Sequence, residues 1–298
     1  MTFNSDETGA VRNQFLDRPL TPCPLTEGYA CDSYGILNGM EIVHCVCGIQ
    51  GNDSSQLNCS QLIKGLGQRL KAVIAVGMAY GTDEEKHDST TGEKIGEGRQ
   101  LLGDMLVSEA IFDYRTSKLT PPAPLGFIQH FKHQAMIRKI EAGSIWEKVH
   151  FGVLLSGGYV DKATERDAFI KKCPDRVIGG EMEGLGISTA VSGAETKIDW
   201  IIVKGISGWG DEEDKKMGSA VKKAAAENAA RVVHEVLSSS APLYNASGKR
   251  DIRAVRPHLK NLDKARERGK KEFEWEGASP DGKREQLPVE AFGFSGED

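Results

Sequence analysis

The sequence has no run approaching the roughly eighteen apolar residues of a membrane span. Its opening, MTFNSDETGA, has neither the basic start nor the apolar core of a secretory signal. A soluble, cytoplasmic protein without membrane partners is therefore expected. Basic charge is also short: 38 Lys and Arg stand against 43 Asp and Glu, for a net charge of -5. A general nucleic-acid binder needs a basic surface to displace counterions, so that class is excluded. The six cysteines (Cys23, Cys31, Cys45, Cys47, Cys59, Cys173) form no CxxC pair, and neither disulfides nor zinc are expected. GEGRQLLGD lacks the lysine and spacing of a phosphate-binding P-loop, which leaves a kinase or ATPase without support. No cofactor is implied.

Short apolar, β-branched runs are present at 40–47 (MEIVHCVC), 72–79 (AVIAVGMA), 151–155 (FGVLL) and 200–206 (WIIVKGI). Their composition predicts strands buried on both faces, with Cys45 and Cys47 on one face as small buried hydrophobes. Helical patterns fill 53–68, 130–141, 162–171, 183–192 and 217–237. Strands alternating with helices predict a single α/β domain whose central sheet is mostly parallel or mixed and flanked by helices. In AVKKAAAENAARVVHEVL, Ala, Val and Leu take one stripe and charges the other, so the last helix should close the domain against the sheet. The domain is expected over 1–240. Hydrophobic residues make up only 39% of the chain, and they thin out after 240. Residues 241–298, dense in charge, are expected to be a flexible tail.

In a parallel α/β sheet, ligands bind beyond the carboxyl ends of the strands. Four segments fall there: GMAYG (77–81), SGGYV (156–160), GGEMEG (179–184) and GISGWGD (205–211). Glycines at a strand end let the backbone approach a ligand, although turn chemistry alone also explains them. Tyr159 and Val160 could wall a planar base. In GGEMEG two carboxylates flank a methionine, an apt arrangement for vicinal ribose hydroxyls with a thioether over the sugar. A pair of acids favoured by a helix N-terminus explains the same residues. HFKH (His130, His133) has metal-chelating spacing, but no third ligand is identifiable, so two surface histidines are expected.

In order and spacing, AVGMAYG, LLGDMLVSEAIFDY (101–114), GVLLSGGYV, GGEMEGLGI and VKGISGWGDEEDKK resemble the nucleoside phosphorylase superfamily, which includes methylthioadenosine/adenosylhomocysteine nucleosidases. The resemblance spans about residues 5 to 238, and YGILNGMEIVHC and IAVGMAYGTDEEK look most like phosphorylase-like immune effector domains.

The resemblance implies cleavage of the bond between a purine and its ribose in a nucleoside or nucleotide, adenine-type favoured, by a homo-oligomer. It casts Glu183 as the carboxylate that grips the ribose hydroxyls, Met182 as the residue packed on the sugar, and Glu181 as a supporting acid. Ser108 and Glu109 would approach the sugar and nucleophile side, with Met78 and Ala79 lining the cleft. Glu7 would activate the attacking water. Family members carry that acid just after a first strand, so a truncated first strand is expected here. Hydrolases of the family place an aspartate after Ile-Ser to protonate the purine. This chain has Ile206, Ser207 and Gly208 there, with Asp211 next in line as a substitute or a helix cap. Gly208 also implies a second outcome, a nucleoside-binding regulator with impaired catalysis. Phosphate is the alternative nucleophile, but the first glycine loop has only Arg99 nearby, which favours water.

Overall fold

The computed structural model describes residues 1–23, 31–83, 86–87, 94–95, 98–120, 122–123, 125–138, 144–158 and 162–239. Six α-helices lie among them: α1 Ser5–Gln14, α2 Asn52–Leu66, α3 Leu125–Arg138, α4 Ala163–Lys172, α5 Gly184–Ser192 and α6 Ser219–Leu237. The longer strands are β2 Cys31–Leu37, β3 Met40–Cys45, β4 Ala72–Gly81, β7 Met105–Asp113, β9 Val149–Ser156, β10 Val177–Glu181 and β11 Asp199–Gly208. Two-residue strands complete the numbering: β1 Thr21–Pro22, β5 Lys86–His87, β6 Lys94–Ile95 and β8 Lys118–Leu119. The expected tail falls outside the described residues.

The central sheet is mixed and runs β11-β4-β10-β9-β7-β8. β4 is parallel to β11, and β9 is parallel to both β10 and β7. β10 meets β4 antiparallel. The first half of β7 also pairs with β11, antiparallel, through Val107, Leu106 and Met105. The five long strands therefore close on themselves, leaving β8 outside the ring. The runs at 72–79, 151–155 and 200–206 all lie in this sheet.

The run at 40–47 does not. β3 belongs to a separate antiparallel sheet, β1-β2-β3, and its Met40, Ile42 and Val43 are only partly buried. A strand with one face on the core and one toward solvent accounts for this. β7 and β10 were not expected as strands. Acids and a serine interrupt the apolar pattern of β7, and β10 carries two glycines in five residues.

α6 is held by burial: Ala225, Ala226, Ala229, Ala230, Val232, Val233, Val236 and Leu237 are all covered. Each fully buried Val or Leu contributes roughly 1.5–3 kcal/mol. That suffices for a helix whose N-cap, Gly218, makes no side-chain hydrogen bond. The contact is close, because a Cβ on Gly205 of β11 would lie 2.0 Å from the Ala225 carbonyl oxygen.

α2 and α5 meet as closely on another side, where a Cβ on Gly186 would lie 2.1 Å from the Asn52 carbonyl oxygen. Asn52 ties three elements together. Its Oδ1 accepts from the Ser156 hydroxyl and the Gly186 amide, each at 3.1 Å. This fixes the start of α5, and with it Glu183, at the end of β10.

Residues 1–3 pair on both sides. The Thr2 amide donates to the Cys45 carbonyl at 3.1 Å, and the Val76 amide donates to the Met1 carbonyl at 3.0 Å. Met1 and Thr2, ahead of Glu7, thus take part in strand pairing.

Candidate active site

The side chain of Lys204 in β11 is completely buried, in a strand otherwise apolar through its middle. Such an ammonium needs paired carboxylates. Its Nζ lies 2.8 Å from Glu183 Oε2 and 5.4 Å from the centre of the Phe3 ring. Burial alone would lower the lysine's pKa, but the charges of Glu183, Glu7 and Glu181 outweigh it and raise the value. Lys204 therefore stays protonated.

Each acid is placed by a different device. Glu7 sits in the first turn of α1, which is capped by Asn4 accepting from the Glu7 amide at 3.0 Å. Its Oε2 accepts from the Phe3 amide at 2.8 Å and its Oε1 from the Met78 amide at 3.0 Å. Glycine at 77 leaves room for this carboxylate, since a Cβ there would lie 2.0 Å from Glu7 Oε1 and displace it. Burial raises the Glu7 pKa; Lys204 opposes the shift and Glu183 adds to it.

Glu181 ends β10, and its Oε2 accepts from the Glu183 and Gly184 amides at 2.9 and 2.8 Å. Burial pushes its pKa up to about 7, with Lys204 pulling down and Glu183 pushing up. Glu183 is the N-cap residue of α5, and its Oε1 accepts from the Gly51 amide at 3.3 Å. Met182 between them is partly exposed.

Three carboxylates thus share one buried cation. Not all of them can ionise without cost, which gives the cluster a carboxylate fixed by an ion pair and others able to take up a proton.

The remaining expected residues divide. Met78 and Ala79 lie in β4 beside Glu7, and the Ser207 hydroxyl donates to the Ala79 carbonyl at 3.3 Å. Ser108 is buried, but its oxygen accepts from the Ile202 amide at 2.9 Å and so serves strand pairing. Glu109 falls at the irregularity between Ser108 and Ala110 in β7 and forms an ion pair with Lys132 of α3. Asp211 caps the 3-10 turn Glu212–Lys216, accepting from the Glu213 amide at 3.0 Å. The carboxylate that reaches Gly208 is that of Asp214, bound to the Trp209 and Gly210 amides at 2.6 and 2.7 Å. A Cβ on Gly208 would lie 2.2 Å from Asp214 Oδ1. Tyr159 and Val160 fall outside the described residues.

The expectation of two surface histidines fails for His130. It is buried, its Nε2 lies 3.2 Å from the Ser239 hydroxyl, and burial, with His133 adding, lowers its pKa to about 4. α3 turns that residue toward the end of α6.

Sequence reasoning missed Lys204, although a lysine inside WIIVKGI was a usable signal. It also missed Tyr80, Asn52 and Asp214, whose positions depend on pairing across strands. A cavity of about 340 Å³, lined by Phe15, Tyr34, Leu62 and Val233 among others, includes none of Glu7, Glu181, Glu183 and Lys204.

No protein-family model and no curated protein matches the sequence. Solved structures do match the fold. The 5'-methylthioadenosine/S-adenosylhomocysteine nucleosidase of Neisseria meningitidis is 18% identical, with a TM-score of 0.61 over 80% of this chain and 96% of that one. The Streptococcus pneumoniae nucleosidase is 14% identical, with a TM-score of 0.62 over 80% and 96%. The futalosine hydrolase of Helicobacter pylori is 15% identical, with a TM-score of 0.62 over 79% and 94%. The chain therefore carries the fold of these nucleosidases, the nucleoside phosphorylase fold.

Proposed function

We propose that the chain hydrolyses the N-glycosidic bond of a purine nucleoside or nucleotide, adenine-type favoured, releasing the base and ribose or ribose phosphate. The observation that carries this reading is the buried set of Glu7, Glu181 and Glu183 around Lys204. Glycosidic cleavage passes through a ribosyl-cation-like state, and an excess of carboxylate over ammonium favours positive charge there. Glu183, held by its pair with Lys204, accepts hydrogen bonds from the ribose hydroxyls, with Met182 against the sugar. Glu7, whose pKa burial raises above the ordinary carboxylate value, takes a proton from the attacking water. Glu181 holds the turn that carries Glu183.

Water is favoured over phosphate because Arg99, the arginine near the first glycine loop, is paired with Asp83 at 3.5 Å. The adenine preference draws on the fold relatives: the Colwellia psychrerythraea nucleosidase is in complex with adenine, and that of Neisseria meningitidis with methylthio-immucillin-A. A second reading, nucleoside binding without turnover, is favoured by Gly208, which offers no acid to the departing base.

Incubation with a panel of nucleosides and nucleotides, with and without phosphate, followed by chromatography, tests the proposal. Free base in both buffers is expected. Release only with phosphate would reassign the enzyme as a phosphorylase, and binding without release would establish the second reading.

A further inference from the structure

Tyr80 is the residue of β4 that faces Gly208 of β11 on one side and Gly180 of β10 on the other. Paired residues of neighbouring strands present their side chains on the same face, so the phenol lies where both partners have none. A Cβ on Gly180 would lie 2.1 Å from the Tyr80 hydroxyl oxygen, and one on Gly210 would lie 2.8 Å from Tyr80 Cδ2. Gly180 of β10 and Gly210, just past the end of β11, therefore form the bed of a single aromatic ring. Gly210 has a second reason to be glycine, its φ of 67°.

Tyr80 is partly exposed, whereas its hydroxyl oxygen is buried and has no hydrogen-bond partner among the described residues. A buried hydroxyl left unpaired is costly, and native structures seldom keep one without a use. Of the polar groups around it, Tyr114, Arg166 and Asp214 are engaged elsewhere, and Glu181 is engaged through Oε2, its Oε1 having no partner among the described residues. Tyr114 donates to the Gly158 carbonyl at 2.8 Å, and Arg166 donates to the Trp209 carbonyl at 2.6 Å. Asp214 holds the Trp209 and Gly210 amides, and Glu181 holds those of α5. Burial raises the Tyr80 pKa, with Tyr114, Glu181 and Asp214 adding to the shift and Arg166 opposing it. The phenol is therefore a neutral donor at ordinary pH.

We propose that the Tyr80 hydroxyl donates a hydrogen bond to the departing base, supporting it in the absence of an acid at position 208; this rests on the glycosidase reading above. As the C1′–N bond breaks, its electron pair moves onto the base, and the Tyr80 O–H stabilises that charge while keeping its own proton. The water oxygen bonds to C1′. Its proton, taken first by Glu7, ends on the base, so that water and nucleoside give free base and ribose.

The test compares Tyr80→Phe with the parent on two substrates, adenosine and a p-nitrophenyl riboside. Nitrophenolate leaves without help from a donor, whereas adenine does not. The variant keeps the ring in its glycine bed, and a melting curve confirms the fold. The expected result is a fall in kcat for adenosine of at least about ten-fold, with turnover of the p-nitrophenyl riboside essentially unchanged. Equal losses on both substrates, or no loss on adenosine, overturn the proposal. If the parent cleaves neither substrate, the glycosidase reading fails and Tyr80 loses its role with it.

Discussion

The ammonium of Lys204 stands 2.8 Å from Glu183 Oε2 with both side chains buried, joining β11 to the N-terminus of α5. This pair couples stability to function, because the cation that makes the acidic cluster tolerable also holds the Glu183 carboxylate in place. Lys204→Met should leave three buried carboxylates without a counter-charge and destabilise the fold by about 3–5 kcal/mol. Lys204→Arg should recover much of that. Denaturant unfolding of the two variants checks the difference, and a Lys204→Met midpoint equal to the parent's would refute the electrostatic account.

Glu183→Gln is expected to separate the two roles. It keeps the size of the side chain and leaves Lys204 beside Glu7 and Glu181, so the fold should persist. A charged hydrogen bond to a hydroxyl is worth about 1.5–3 kcal/mol, which predicts at least a ten-fold loss of turnover. Loss of stability with activity retained would instead identify Glu183 as a helix-end acid only.

The raised pKa of Glu181 sets the sign of a pH effect. Between the ordinary carboxylate value of 4.5 and about 7, the folded state holds a proton that the unfolded chain releases. Stability from this group is therefore full below that window and lost as the pH rises through it. Urea midpoints of the parent and Glu181→Gln across the window should diverge, with the parent losing more on the alkaline side. Parallel curves would show that Glu181 does not titrate there.

Gly208 would be the obvious place to restore an acid, but the structure predicts otherwise. Gly208→Asp drives its Cβ to 2.2 Å from Asp214 Oδ1 and sets two carboxylates together. A loss of about 1–3 kcal/mol without faster base release is expected. Adding Asp214→Gly should recover part of the stability, and thermal melts of the single and double variants measure it.

Much of the fold was legible because periodicity survives tertiary context in long elements. The stripe of α6 and the apolar runs of β4, β9 and β11 are of that kind. β7 and β10 were hidden because their local composition argues against strands, and only pairing with β9, β11 and β4 makes them so. At the site, Glu181 and Glu183 were visible as a motif. The use of Ser108 on the Ile202 amide was not, since it depends on which strand lies alongside β7. Asp214 displaced Asp211 as the neighbour of Gly208 because the turn at 212–216 folds back on β11.

The most direct test of the central claim is a time course of adenosine incubated with the parent protein in phosphate-free buffer, with base and sugar quantified by chromatography. The account predicts adenine and ribose rising together in equal amounts, at a rate that scales with protein. Adenosine that is bound and recovered intact, with no free adenine at any time, would contradict it.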